Sequence, residues 1–501
     1  AISFSTNPNV SSSLQRINYR LFYKCNSLRN IIIPANVTQI YPHAFEFCTQ
    51  LQLVSFQRYH DGSLNIETIG EYAFSGCENL ETFSVPHTVK YIASNAFNDC
   101  TNLKTVTFLT DKNGQSSLKA ILSESFSKTA IKSITIPSSV HYLCPHSFSG
   151  CENLQTILFS KEPNDKSEIE EIAQYAFSKC YSLNSISIPF SIKIMGTFAF
   201  SECKSLATIN FDTRENGTVD LPVISESAFL LCESLQTITI PFSIKSIQPF
   251  AFSQCYQLHD VTFQTYSNGN SNLEEIGDQS FFECMNLLKI AIPTSVKRIG
   301  KRAFDTCPKL AEVTFMEGKS NLSEFGQSAF FECSSLTSIS IPATVKRMAA
   351  RTFYYCKSLK NVTFLTDENG LTQLEEIGDY SFALCISLTS IEIPKQVKRI
   401  RPFAFNNCLA LETLKFETDD DKGSNLEEIC AEAFSRTGID SLSIPTNVRR
   451  IGLESLQPFQ FNSIHYIRTL VTIGSWSFLD KNAFIHCDKL RAFPQKLSQS
   501  H

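Results

Sequence analysis

From Leu287 to Cys307 the chain reads LLKIAIPTSVKRIGKRAFDTC. Nearly the same string returns from Leu336 to Cys356 as LTSISIPATVKRMAARTFYYC. Its AFxxC core recurs along the whole chain, with the Phe at Phe22, Phe45, Phe74 and onward to Phe434 and Phe484. Leu456 takes that slot in one degenerate copy, which makes 19 units. The spacing mostly alternates between 23 and 29 residues, so the true period is a pair of coils of about 52 residues. Stacked coils produce such regularity; a globular core does not.

Within a coil, LxxIxI or LxxVxF segments such as Leu235–Ile240 and Leu103–Phe108 alternate apolar and polar residues. That alternation over a short β-branched stretch predicts a strand with one buried face. Nine such strands run into a proline, from Pro34 to Pro445. Proline cannot donate to a ladder and marks where pairing stops. The IGxxAFxxC stretch spaces its apolar residues almost helically, enough for one or two helical turns. The expected fold is therefore an α/β solenoid, a leucine-rich-repeat-like right-handed superhelix of about 19 coils with one parallel strand per coil. Short (23) and long (29) repeats alternate along it. Residues 1–501 are expected to form a single repeat solenoid: 1–25 an N-terminal edge, 26–456 regular alternating coils, 457–501 degenerate coils and a tail.

The motif LxxIxIPxSVxxIGxxAFxxC resembles the BspA-like leucine-rich repeat family, over roughly residues 14 to 493. The resemblance implies surface-exposed adhesins of anaerobic bacteria and of protists such as Trichomonas. It also implies host matrix or plasma proteins, or other microbes, as ligands. The matching residues are core residues, so they speak for fold far more than for function.

Of 18 cysteines, 16 end an AFxxC copy. Thr129 and Thr437 replace it in two copies and Phe459 in one. Bridges would demand pairs, and these replacements leave no consistent pairing. The slot reads as a buried, reduced ladder of small side chains. His141, Cys144, His146 and Cys151 have zinc-ligand types. Yet Cys144 stands where other coils have the Gly of IG, and Cys151 belongs to the ladder. No metal and no cofactor are expected.

Short coils place bases between their apolar anchors, as at Lys297-Arg298 and Lys398-Arg399, and long coils place acids there, as at Glu274-Glu275 and Glu375-Glu376. Strands about 4.8 Å apart would bring these opposite charges together. The alternation accounts for a net charge of only -5. It removes the basic footprint a nucleic-acid binder needs. No run of about 18 apolar residues is present, so no membrane insertion by this segment is expected. The chain opens at Ala1 without a charged-then-apolar leader, and its end at Leu490–Phe493 has no polar cap, so processing or further chain is expected.

Two surfaces could bind. The outward strand positions are mostly Ser or Thr, for example Thr105 and Thr107, and lack the aromatics that anchor protein partners. The long coils instead carry insertions with Asn-Gly and Asp-Gly turn signals, which vary while the coils around them do not. The candidate ligand contacts are Arg58, Tyr59, Asp111, Asn113, Arg214, Asn216, Tyr266, Asn268, Asp367, Asn369, Asp419 and Asp421. The run Asp419-Asp420-Asp421 does not match calcium-loop spacing.

No GxSxG, HExxH, P-loop or GxGxxG is present. Catalysis needs unlike groups converging on one cleft, whereas a solenoid repeats like groups along a line. The expected function is a non-catalytic, adhesin-like binding solenoid at the cell surface or secreted, taking protein or glycan ligands through multivalent contacts. Self-association at open solenoid ends is also expected. The alternative is an intracellular scaffold, cytoplasmic or cytoskeletal, docking along proteins or filaments.

Overall fold

The computed structural model describes residues 14–59, 63–161, 167–266, 269–418, 423–439 and 442–455, together with a short strand at Ile2–Ser3. Leu456, Phe484, the expected degenerate coils from 457 on, and Asn268, Asp419 and Asp421 lie outside these residues. The chain divides into two compact units, Ala1–Leu258 and His259–His501.

Both units are built from the same coil. It contributes a four-residue strand, a turn or loop, a two-residue strand, and a run of turns over AFxxC. In the first unit Thr82–Val85, Thr105–Phe108, Ser133–Ile136, Thr156–Phe159, Ser185–Ile188, Thr208–Phe211 and Thr237–Ile240 pair in succession, all parallel. In the second unit the four-residue strands from Asp260–Phe263 to Asn361–Phe364 do the same. Exposed and buried residues alternate as the pattern requires; Ser338–Ile341 is one example. Eight of these strands end immediately before a proline, as Ile136 does before Pro137. The residues before Pro445 form no strand among those described.

Two expectations are corrected. Each regular coil carries two parallel strands, not one. Pairs such as Thr68–Ile69 with Tyr91–Ile92 and Glu275–Ile276 with Arg298–Ile299 build the second ladder. Among the described residues there is no helix, so the fold is a purely β solenoid rather than an α/β one. The cause lies in the AFxxC stretch. Ala44 and Cys48 donate to Tyr41 and Phe45, three residues back, while Phe45 donates to Ala73 in the next coil. His43 and Phe47 stand at φ 59° and 58°, and the same two positions are left-handed in coil after coil. A right-handed helix cannot propagate through such residues. The near-helical spacing arises because successive three-residue turns also return Ala44, Phe45 and Cys48 to the inside.

That inside is a stack. Phe45, Phe74, Phe97 and Phe126 are fully buried, and their rings stack at 5.0–5.3 Å. Beside them runs the cysteine ladder. From Cys48 onward, ladder thiols donate to the carbonyl of the Phe one coil back, as Cys100 does to Phe74 at 3.1 Å and Cys408 to Phe382 at 3.0 Å. Thr129 and Thr437 keep the slot polar but turn to the Phe of their own coil, at 2.9 and 3.0 Å. All the described cysteines are free thiols.

The charge alternation appears as a ladder in the second unit. Successive register partners read Glu275, Arg298, Glu324, Arg347, Glu376, Arg399, Glu428 and Arg450. Arg298 pairs with Glu275 at 2.6 Å and Asp278 at 2.7 Å. Lys297–Glu274 and Lys398–Glu375 close the neighbouring slot at 2.9 and 3.2 Å. Half-exposed pairs contribute at most about 1 kcal/mol each. Arg298→Glu would set carboxylates on three consecutive coils. It should cost about 1–2 kcal/mol in urea unfolding at low salt, and less at high salt.

Candidate ligand-binding site

Five long-coil insertions differ in sequence and share one backbone frame. Tyr59, Asp111, Arg214, Tyr266 and Asp367 each donate their N–H to the carbonyl four residues on, at 2.7–3.1 Å. In the last four of these, the glycine three residues on donates back at 2.8–3.0 Å. Those glycines, Gly114, Gly217, Gly269 and Gly370, stand at φ 72–78°, which side-chain-bearing residues rarely adopt. The Asn-Gly signal is therefore a demand of the turn.

The side chains at the first frame position brace the loop. The Arg214 guanidinium forks onto the Asp220 carboxylate, six residues on. Tyr59 Oη accepts from Asn65 at 3.0 Å and donates to Asn36 at 2.7 Å, and Tyr266 Oη accepts from Asn272 at 3.1 Å. Asp111 Oδ1 accepts the N–H groups of Asn113 and Gln115, both at 2.8 Å. Asp367 accepts those of Asn369 and Leu371, both at 2.9 Å. These backbone donors hold both carboxyls below the usual carboxylate range. Asn216 Oδ1 accepts from the N–H and hydroxyl of Thr218. Arg58, Asn113 and Asn369 are exposed, as are the tip residues Lys112, Glu215 and Glu368.

In the first unit a cleft of about 1000 Å³ lies between the 115–119 and 213–216 segments, floored by the coils between them. It gathers Arg214 and Asn216 from the expected contacts with Lys119, Glu168, Glu215, Phe190 and Ser191. Arg58, Tyr59, Asp111 and Asn113 do not line it, and Tyr266, Asp367 and Asn369 belong to the second unit. Arg214 lies over the Phe190 ring, 5.0 Å from its centre. The buried Oγ of Ser191 has no hydrogen-bond partner. A cleft of this size with a few polar groups around an aromatic platform suits ligand binding. Sequence reading missed Phe190 and Ser191 because they follow the strand-ending Pro189 in a short coil, away from the insertions.

A second feature was also missed. The left-handed position before AF carries stacked, half-buried aromatics: His146, Tyr175 and Phe198 at successive spacings of 4.8 Å, and Tyr380 on Phe403 at 4.5 Å. The signal lay two residues before the ladder Phe. Among the described residues no three His, Cys, Asp or Glu side chains gather as a metal site. His146 of the zinc-like set stacks on Tyr175, and His141 Nδ1 lies 2.9 Å from the Ser139 carbonyl. Among them, too, no helix is long and apolar enough to cross a membrane.

A family model described as a BspA type leucine-rich repeat region, in six copies, matches residues 3–64, 67–170, 170–270, 264–371 and 369–491. A leucine-rich repeat protein from Bacteroides ovatus has a similar structure. It is 24% identical, with 83% of this chain and 92% of that chain covered and a TM-score of 0.59. A leucine-rich cell surface protein from Faecalibacterium prausnitzii is 26% identical, with 59% and 83% covered and a TM-score of 0.30. No curated protein matches the chain.

Proposed function

The chain belongs to the BspA-type leucine-rich repeat family, and from that premise we propose that it is a non-catalytic recognition protein of the cell surface. It holds protein or glycan ligands by multivalent contacts through its insertion loops. The observation that carries this reading is the first-unit cleft. There Lys119, Glu168 and Glu215 line the walls together with Phe190 and with Ser191, whose buried Oγ has no hydrogen-bond partner. The braced loops lose little freedom on binding, which favours affinity. Linked weak sites along the loops add avidity when one ligand spans several.

The test is binding of the whole chain to immobilised matrix glycoproteins and to a glycan array. Lys119→Ala with Glu215→Ala should weaken the captured ligand by about tenfold or more without lowering thermal stability. Binding to none of these ligands, or binding that ignores the double substitution, would overturn the reading. The free thiols favour one second reading, an intracellular scaffold in a reducing compartment. Antibody staining of unpermeabilised cells separates the two: signal supports the surface, and its absence supports the scaffold.

A further inference from the structure

We propose that the first unit carries a subsite for a neutral oligosaccharide on the open face of its four-residue strands, continuous with the loop cleft. This rests on the recognition reading above and names a ligand class for it. A groove of about 310 Å³ opens there between Thr105–Phe108 and Ser133–Ile136. Its position follows from the alternation of coils. Thr105–Phe108 pairs with the preceding Thr82–Val85 at all four positions, and Ser133–Ile136 pairs with the following Thr156–Phe159 at all four. Between the two inner strands the register holds only at Ser133 with Thr105. Beyond that point one strand leaves into the 110–115 insertion and the other meets Pro137, which has no N–H to offer.

A matching opening recurs in the second unit, between Glu312–Phe315 and Ser338–Ile341, where again only Glu312 and Ser338 pair. The opening itself is thus a property of the coil. The lining is particular to the first unit. Eight of its twelve residues are Ser or Thr, and none is charged, whereas the second-unit opening carries Glu312. Hydroxyls both donate and accept, as sugar hydroxyls do. An anionic ligand would shed water here and find no cation in return. A purely apolar one would meet little beyond Phe108, Pro137 and Val106. Pro137 is half-exposed and in line with Ser133 and Thr135, so it offers the apolar face of a sugar ring a platform among the hydroxyls. Ser116 and Ser138 line both groove and cleft, so a short chain can run from one into the other. Gly114 stands at the groove with nothing within 4 Å of where a Cβ would be, which leaves the mouth open.

The whole chain should be tested on an array of short neutral oligosaccharides, their sulfated and sialylated counterparts, and extended peptides. Thr107→Val with Thr135→Val removes two hydroxyls and keeps β-branched strand residues. Thr237→Val with Thr239→Val is the control on the same ladder outside the groove. The expected result is binding of neutral glycans, weakened by about tenfold or more in the first variant and unchanged in the second, with equal thermal stability. Capture of anionic glycans or peptides alone, no glycan binding, or an equal effect of the two variants would overturn the subsite. Ligand binding that falls with Lys119→Ala and Glu215→Ala but ignores Thr107→Val and Thr135→Val removes the groove and leaves the recognition reading standing.

Discussion

Phe304→Ala should destabilise the second unit by about 3–5 kcal/mol, the range for truncating a buried aromatic. The Phe304 ring is fully buried and stacks on Phe281 at 5.3 Å and Phe330 at 5.2 Å. Removing it leaves a cavity that its own coil cannot fill, because the rings on either side are fixed by their own coils. In a solenoid each coil is held mainly by its neighbours, so the lesion should also lower protection in the coils of Phe281 and Phe330. Urea unfolding gives the magnitude. Phe304→Leu, which keeps most of the volume, should cost clearly less. A loss below about 1 kcal/mol for the alanine variant would mean that the Phe stack is not the core.

The cysteine ladder should resist alkylation of the folded protein by orders of magnitude relative to the unfolded chain. Burial pushes the thiols of Cys100 and Cys408 up to about 12 and that of Cys151 up to about 11. At pH 8 a thiol with pKa near 12 is ionised to about one part in ten thousand, and the thiolate is the nucleophile. Among the described cysteines, Cys25 and Cys144 are half-exposed and should react first, and guanidinium should release the others. The same shift has a pH consequence. The folded pKa lies above the ordinary value of 9.0, so the contribution is full below about pH 9 and is lost as pH rises toward 12. Alkaline unfolding should steepen over that window. Rapid modification of the whole ladder at pH 8 would show that these side chains face solvent.

Much of the frame is legible in residues 287–307. The Leu-x-x-Ile-x-Ile alternation and the following proline place the four-residue strand and its end. The alternating Lys-Arg and Glu-Glu slots anticipate the pairing of Arg298 with Glu275. The turn face is not legible. Residues as ordinary as Arg20, His43 and Phe47 adopt positive φ there, and among the described coils only Gly76 and Gly150 mark the position with a glycine. The two-residue strands are too short to show a period, so AFxxC reads as helical turns. At the site, the Asn-Gly signals locate the insertions, but not the bracing of Arg214 by Asp220, six residues on. Nor do they show that a short coil sends Phe190 and Ser191 into the cleft between two loops.

Amide hydrogen exchange resolved to single residues tests the all-β coil and its displayed loops most directly. The amides of Phe45, Phe74 and Phe97 donate to the next coil at 2.8 Å and should exchange as slowly as those of the four-residue strands. Lys112, Glu215 and Glu368 at the loop tips should exchange fast. Fast exchange through the AFxxC stretches, or a helical pattern of protection there, would contradict the coil described above.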